Sequence, residues 1–483
     1  MNLYRLIEDF KDNGIDKEIE ITNITEKIAD VTVGSLFFAV KGSTFDGNDF
    51  VSEAVIKGAK AIVTERGDLE VSESCVVVTV ENVRKALAYA SNEFYGRPTD
   101  KLCMVGITGT NGKTTTAHMI HHILTENGVK CGVIGTVGVK IDETTESLSY
   151  TTPDSVTLFS ILSDMVCKGI THVVMEVSSQ ALAQERVWGI PFKIGVFTNL
   201  SQDHLDYHVN MDAYANTKLK LFDMAEVCVA NKDSAYSELF VGYKRFGSSV
   251  YTYSAHDNSD FRAENICVSA EGNRCNIVKA ETFTVSMVTP KICGFFNVYN
   301  TVAAYATACL LGVSDEEISR ALAVFSPVKG RMEKIETNRD FSVVIDYAHT
   351  PDGLGNVLSS LRLICKGKIL TVFGCGGDRD RTKRPLMGKI AEALSDIVII
   401  TSDNPRNEEP EEIINDIWVG IKNSASVIAV PDRREAIKYA LSHAEKDDII
   451  LLAGKGHETY QIIKGKKYHF DEREVIEDYF NGR

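Results

Sequence analysis

Residues Gly106 to Thr116 read G-I-T-G-T-N-G-K-T-T-T. The stretch follows an apolar run, Leu102-Cys103-Met104-Val105, that reads as a buried strand. It precedes Ala117 to Leu124, whose apolar residues recur at helical spacing. Strand, glycine loop and helix N-terminus in that order make a phosphate cradle, because backbone N–H groups converge on the anion and the helix dipole favours it. Lys113 is placed to reach the terminal phosphates of ATP, and the Thr114 hydroxyl to ligate Mg2+. Gly109, Thr110, Asn111, Gly112 and Thr115 complete the cradle. The usual spacing has a glycine five residues before Gly112. Ile107 stands there, which leaves the shorter form T-G-T-N-G-K-T-T.

A chain of 483 residues exceeds a single core and calls for two to four domains. The formal charge of -15, with no basic block to offset it, argues against nucleic acid as a partner. No apolar run is long enough to span a bilayer, and no charged-then-apolar leader opens the chain, so a cytoplasmic protein with no membrane partner is expected. Eleven cysteines without a C-x-x-C pair imply neither a zinc site nor a disulfide framework.

Patterning predicts an α/β protein of three domains. Residues 1–98 form a short α/β unit: strands within Val33–Val40, Ala59–Thr64 and Cys75–Val80, helices within Phe50–Gly58 and Val83–Phe94, and the punctuation Gly96-Arg97-Pro98-Thr99. Residues 99–328 alternate strands and helices after the glycine loop, with strands at Gly132–Val137, His172–Val177 and Ile194–Asn199. That alternation predicts a mainly parallel sheet covered by helices. Residues 329–483 repeat it, with strands at Phe341–Asp346, Ile369–Gly374, Asp396–Thr401 and Ile449–Gly454, and read as a Rossmann-like domain. In such sheets ligands gather at the C-terminal strand ends. Glu176 and the loop after Asn199 therefore share an edge with the phosphate cradle.

Three constellations at those edges carry chemistry. Thr198 to His208 reads T-N-L-S-Q-D-H-L-D-Y-H, and an Asp-His pair there, beside an ATP loop, reads as a metal or phosphate ligand. Glu176 with Thr114 offers Mg2+ the hard oxygens it prefers. Arg379 of G-C-G-G-D-R-D, Arg406 of D-N-P-R and Glu458 of G-K-G-H-E fall on one rim. Two guanidiniums and a carboxylate suit a zwitterionic head group, and a structural ion-pair network fits the same residues equally well. Lys218, in the amphipathic run Tyr214–Phe222, reads on pattern alone as a solvated helix residue.

In this order, the motifs resemble the Mur ligase family of ATP-dependent amide-bond ligases over nearly the whole chain. They include T-G-T-N-G-K-T-T, Thr151-Thr152-Pro153, Glu176-Val177-Ser178-Ser179, N-L-S-Q-D-H-L-D-Y-H and G-F-F-N-V-Y-N. Further along come G-R-M-E, D-Y-A-H-T-P-D, G-C-G-G-D-R-D, D-N-P-R and G-K-G-H-E. The likeness is greatest to members that add meso-2,6-diaminopimelate to UDP-MurNAc-L-Ala-D-Glu in peptidoglycan precursor synthesis. It implies a monomer acting through an acyl phosphate. It implies catalytic roles for Lys113, Glu176, His204 and Lys218, with Lys218 carbamylated, and metal contacts from Thr114, Glu176, His204 and that carbamate. Asn297, Asn300, Arg331 and Asp346 match nucleotide contacts. Thr151, Thr152, Ser178, Gln184 and Arg186 match positions that hold the UDP-linked substrate. Arg379, Asn404, Arg406, Gly454 and Glu458 match the amino-acid site, with Arg406 facing the carboxylate that lysine lacks.

Two positions depart from the family pattern. Lys27-Ile28-Ala29 replaces the Asp-Ser-Arg with which the first domain grips the uridine nucleotide, and Gln180 replaces a histidine after Glu-Val-Ser-Ser. The first change admits a paralogous ligase with another carboxylate acceptor, and L-lysine is the alternative amine. A non-catalytic nucleotide-binding regulator is the reading from another class. Retention of Lys113, Glu176, His204 and Lys218 argues against it.

Overall fold

Four short parallel strands, β1 (Asn23–Thr25), β2 (Ser35–Phe38), β3 (Ala61–Thr64) and β4 (Val76–Thr79), pair in sequence order at the start of the chain. Successive strand residues point to opposite faces. Leu36 and Phe38 thus pack with Val83 and Leu87 of the helix Val83–Phe94, while Phe37 packs with Val51 and Ala54 of the helix Val51–Ile56. The computed structural model describes residues 1–10, 19–42, 45–142, 144–245 and 247–482.

The second sheet has eleven strands: β5 (Cys103–Thr108), β6 (Cys131–Gly135), β7 (Gly138–Ile141), β8 (Thr144–Glu146), β9 (His172–Glu176), β10 (Phe192–Phe197), β11 (Ala225–Asn231), β12 (Ser249–Ser254), β13 (Phe261–Ser269), β14 (Gly272–Lys279) and β15 (Val285–Val288). Their spatial order is β15-β14-β13-β12-β11-β10-β5-β9-β6-β7-β8. Pairing is parallel from β13 through β6 and antiparallel at both margins, β14–β15 and β7–β8. The expected mainly parallel sheet is present, with antiparallel margins that the alternation did not reveal. β5 also runs three residues further than the apolar run suggested. Ile107 is a fully buried strand residue paired with Val196 and Glu176, so the glycine loop proper begins at Gly109.

The helix Phe295–Leu310 crosses behind the loop and is buried on nearly every side, including Asn297, Asn300, Thr301 and Thr307 among its polar residues. A third sheet, β16 (Glu333–Ile335), β17 (Ser342–Asp346), β18 (Ile369–Phe373), β19 (Ile397–Ile400), β20 (Val427–Ala429) and β21 (Ile449–Ala453), runs in the order β16-β17-β21-β18-β19-β20. All its pairs are parallel except β16 with β17. The helices Pro351–Ile364, Lys383–Leu394 and Pro410–Trp418 cover one face, and Arg433–His443 and Glu472–Phe480 the other. Residues at or just after the ends of β17, β18, β19 and β21, Asp346, Gly376, Asp403 and Gly454, line one cleft with the glycine loop.

Candidate active site

Gly109 (φ +147°) and Gly112 (φ +86°) set the cradle. A Cβ at Gly109 would collide with Thr198 Oγ1, and one at Gly112 with Asn300 Oδ1, so close packing from both sides restricts the loop to glycine there. The Lys113 ammonium donates to the Gly109 and Thr110 carbonyls, both at 2.9 Å, curling over the loop it serves. Thr114 Oγ1 donates to Glu176 Oε1 at 2.9 Å and accepts from Arg331 Nη2 at 3.0 Å. Glu176 is buried and also accepts from the Thr136 N–H (2.8 Å) and hydroxyl (3.1 Å). Asn300 donates to Asn297 Oδ1 at 2.8 Å and accepts from Thr116 at 3.3 Å, which ties the buried helix to the loop. Asp346 is buried at the end of β17 and accepts from the Met332 N–H at 2.7 Å.

Lys218 is 1 % exposed, not solvated as its pattern suggested. Its ammonium donates to the Gly109 carbonyl at 2.9 Å and lies 4.5 Å over the Tyr214 ring. Burial, then the nearby Lys113 charge, push its pKa well below the ordinary range. His204 meets the same ring edge-on, 6.3 Å between centroids, and holds a left-handed backbone, φ +55°. Burial lowers its pKa to about 3, so the imidazole is neutral and able to ligate. Its Nε2 is 3.3 Å from Asp203 Oδ2. Among the described residues, no three His, Cys, Asp or Glu side chains converge as a metal cage. Thr114 and Glu176 supply two hard oxygens beside a phosphate cradle, a donor set that fits Mg2+, which completes its shell with phosphate oxygens and water.

The positions matched to the UDP-linked substrate come together on the far side of Glu176. Thr152 Oγ1 donates to the Glu176 carbonyl (2.9 Å) and accepts from the Ser178 N–H (3.0 Å). Thr151 meets Thr136 at 3.1 Å. Arg186 donates to Thr152 O and to Gln184 Oε1, both at 2.7 Å, and stacks over Tyr150. Across the cleft, Asn404 donates to Glu458 Oε2 at 2.8 Å, and Gly454 donates to the Asp346 carbonyl at 3.0 Å. Lys455, fully buried, lies 3.2 Å from Asp403 and 3.3 Å from Glu458. Arg406 donates to the Gly377 carbonyl at 2.7 Å, Arg379 to the Asp378 carbonyl at 3.0 Å, and neither makes an ion pair among the described residues. The ion-pair network left open by the sequence therefore forms through Lys455, and the two guanidiniums keep their anion-binding capacity. Burial and the neighbouring Arg379 lower the Arg406 pKa.

One cleft of about 1360 Å³ is lined by Lys113, Glu176, Arg186, His204, Arg331, Arg379, Arg406 and Glu458, and by Gln180. Lys218 lies beneath it. No described residue before Thr110 lines it. Lys27, at the departure from the family pattern, reaches Asp154 at 2.9 Å, and Ile28 packs into the small apolar cluster of Val31, Phe37 and Val51.

Family profiles describe residues 107–308 as "Mur ligase middle domain", 330–456 as "Mur ligase, glutamate ligase domain" and 20–95 as "Mur ligase family, catalytic domain". The UDP-N-acetylmuramoyl-L-alanyl-D-glutamate--2,6-diaminopimelate ligase 1 of Clostridium acetobutylicum is 44% identical over 483 residues, covering 99% of each chain. The chain belongs to the Mur ligase family. The 2,6-diaminopimelate ligase of Caldanaerobacter subterraneus is 46% identical to this Mur ligase over 446 residues, 92% of the one and 91% of the other. A solved structure of a UDP-N-acetylmuramoyl-L-alanyl-D-glutamate--2,6-diaminopimelate ligase superposes with a TM-score of 0.72 at 32% identity, covering 100% of this chain and 99% of that one.

The geometry of this Mur ligase adds residues that sequence reasoning passed over. Thr136 holds both oxygens of Glu176, Lys455 pairs with Asp403 and Glu458, and His349 and Lys383 gather round Asp203 of the Asp-His pair already singled out. Part of this signal lay in the motifs, since Lys455 follows Gly454 in G-K-G-H-E and His349 lies within D-Y-A-H-T-P-D.

Burial also sets a pH response. It lowers the pKa of His118 and His204 to about 3, and of His121, His349 and His457 to about 4, from 6.5. Between those values and 6.5 the unfolded chain binds protons that the folded one refuses, so stability is full above pH 6.5 and falls as pH drops towards 4. A well-buried histidine such as His121 contributes at most ~1.4 kcal/mol per pH unit in that window. The denaturant midpoint is expected to fall steeply from pH 7 to pH 5; a flat profile would contradict this.

Proposed function

We propose that this Mur ligase joins meso-2,6-diaminopimelate to UDP-MurNAc-L-Ala-D-Glu at the expense of ATP, releasing ADP and phosphate. The observation that carries the reading is a pair of guanidiniums, Arg379 and Arg406, without carboxylate partners among the described residues and in the same cleft as the cradle and Glu176. Residues 1–98, 99–328 and 329–483 serve as the UDP-substrate, ATP and amino-acid units of a cytoplasmic monomer.

In the first step a carboxylate oxygen of the acceptor attacks the γ-phosphorus and ADP leaves, giving an acyl phosphate. Lys113 and the loop N–H groups hold the phosphates, and Arg331 and Asn300 flank the cradle. Thr114, Glu176, His204 and a carbamate on Lys218 would hold Mg2+, which offsets charge as phosphoryl passes between anions. Asn297 and Asp346 complete the nucleotide side. Thr151, Thr152, Ser178, Gln184 and Arg186 orient the acceptor. In the second step the amine nitrogen attacks the acyl carbon, loses a proton and expels phosphate. Glu458, Asn404 and the Gly454 backbone receive the zwitterion, and Arg406 binds the carboxylate at its far end.

Phosphate release from ATP, Mg2+ and UDP-MurNAc-L-Ala-D-Glu tests this, with meso-diaminopimelate, L-lysine or no amine. Release that depends on diaminopimelate is expected. Release with lysine instead would overturn the role of Arg406. Silence with every amine would favour a ligase with another acceptor, a reading supported by Lys27 being engaged with Asp154 and by the absence of any described residue before Thr110 from the cleft wall.

A further inference from the structure

Three consecutive residues ahead of His204 each bond to the third unit. Ser201 Oγ donates to Asp352 Oδ2 at 3.2 Å, and the same carboxylate oxygen accepts from Asn111 of the cradle at 2.8 Å. Gln202 Nε2 donates to Thr382 Oγ1 at 3.1 Å. Asp203 Oδ1 lies 3.5 Å from Lys383 Nζ, and its other oxygen 3.8 Å from His349 Nε2. Asp203 and Lys383 each have only 7 % of their side chains exposed.

On the partner side, the contacts fall in a segment that starts at the amino-acid rim. Arg379 lies on that rim. Asp380 then fixes Thr382 by accepting from its N–H (2.8 Å) and hydroxyl (2.6 Å), and Lys383 opens the helix Lys383–Leu394. Three residues thus separate a group on the amino-acid rim from one facing Asp203. The opposite end of the contact is one residue from His204.

From this arrangement we infer that Ser201-Gln202-Asp203 is a docking latch, through which seating of the amino-acid unit fixes the position of His204, with Lys383 as a positioning residue. The inference deepens the ligase reading and rests on it for its kinetic arm. Its energetics follow from solvation. With the units apart, Asp203 and Lys383 are both hydrated, whereas together they are buried and satisfy each other. Removing the lysine leaves a buried carboxylate without its cation in the closed state alone, so the penalty acts directly against closing.

The test uses the full chain and the variants Lys383→Met, Lys383→Arg, Gln202→Ala and Thr382→Val. Lys383→Met is expected to lower kcat about 100-fold with the KM for ATP within about threefold, and Lys383→Arg to recover most of the loss. Gln202→Ala and Thr382→Val are expected to cost the same singly as together, as partners in one contact do. Small-angle scattering with Mg2+ and a non-hydrolysable ATP analogue supplies an arm that needs no amine or acceptor. The wild type should be more compact than Lys383→Met, and Lys383→Arg should match the wild type. Equal compactness of Lys383→Met and wild type would overturn the latch. So would an unchanged kcat, or a rise in the KM for ATP as large as the fall in kcat. If the wild type is silent with every amine, the acceptor and amine reading fails, and the scattering still decides the latch.

Discussion

Lys218→Met is expected to abolish turnover, by about 1000-fold or more, while leaving the protein folded and no less stable. The two halves of that result have different causes. An amine buried to 1 % exposure with, among the described residues, the Gly109 carbonyl alone to receive its proton is a stability cost, and a methionine of similar length removes it. The same environment suits the amine for reaction. Burial and Lys113 disfavour its charged form, and only the neutral amine attacks CO2 to form an N–C bond and release a proton. A carbamate there would replace a cation with a carboxylate near His204. Without it, a loss of ~4 kcal/mol of transition-state stabilisation corresponds to the 1000-fold fall. Activity of the wild type should also fall in CO2-depleted buffer and return with bicarbonate. A Lys218→Met enzyme with even a tenth of wild-type kcat would remove Lys218 from the mechanism.

Arg406→Leu is the second large effect, and it should fall on the amine alone. The KM for meso-diaminopimelate is expected to rise about 100-fold, ~2.7 kcal/mol, with the KM for ATP unchanged. Among the described residues the guanidinium has no carboxylate partner, and it donates to the Gly377 carbonyl. A bound carboxylate would therefore be its charge partner. L-lysine brings no anion and leaves Arg406 partly buried and unpaired, which is the source of discrimination. Removing the arginine should narrow the preference between the two amines to within about tenfold. Arg406→Lys should recover little, because an ammonium cannot form the bidentate pair. A uniform loss with both amines would mean that Arg406 only supports the loop, whose left-handed backbone at φ +53° places it.

The fold was legible wherever one pattern decided it. The helix Val83–Phe94 and the strands β9, β17 and β18 lie where periodicity predicts them, within a residue or two. The antiparallel margins were not legible, because alternation of helices and strands signals only parallel connections and β13–β15 contain no helix between them. At the site, the cradle, Glu176 and the amino-acid rim could be read because each follows directly on an apolar strand. The burial of Lys218 could not, since an amphipathic run does not say whether its polar face meets water or another part of the protein. Asp352 and Lys383 lie about 150 and 180 residues beyond Asp203 along the chain, and only the folded arrangement brings them to one another. The first unit held the opposite lesson. Its altered Lys27-Ile28-Ala29 was plain in the sequence, but the turning of Ile28 into the apolar cluster and the pairing of Lys27 with Asp154 required the structure.

The helix Phe295–Leu310, enclosed on nearly every side, has a consequence for exchange with solvent. Its amides open only when the surrounding sheet does, so deuterium should enter them last, at the rate of global unfolding. Asn297 and Asn300 belong to this slow-exchanging body and so give the phosphate loop a floor that does not breathe. Local fluctuation is left to the loops and units around it, and the nucleotide enters against a fixed wall.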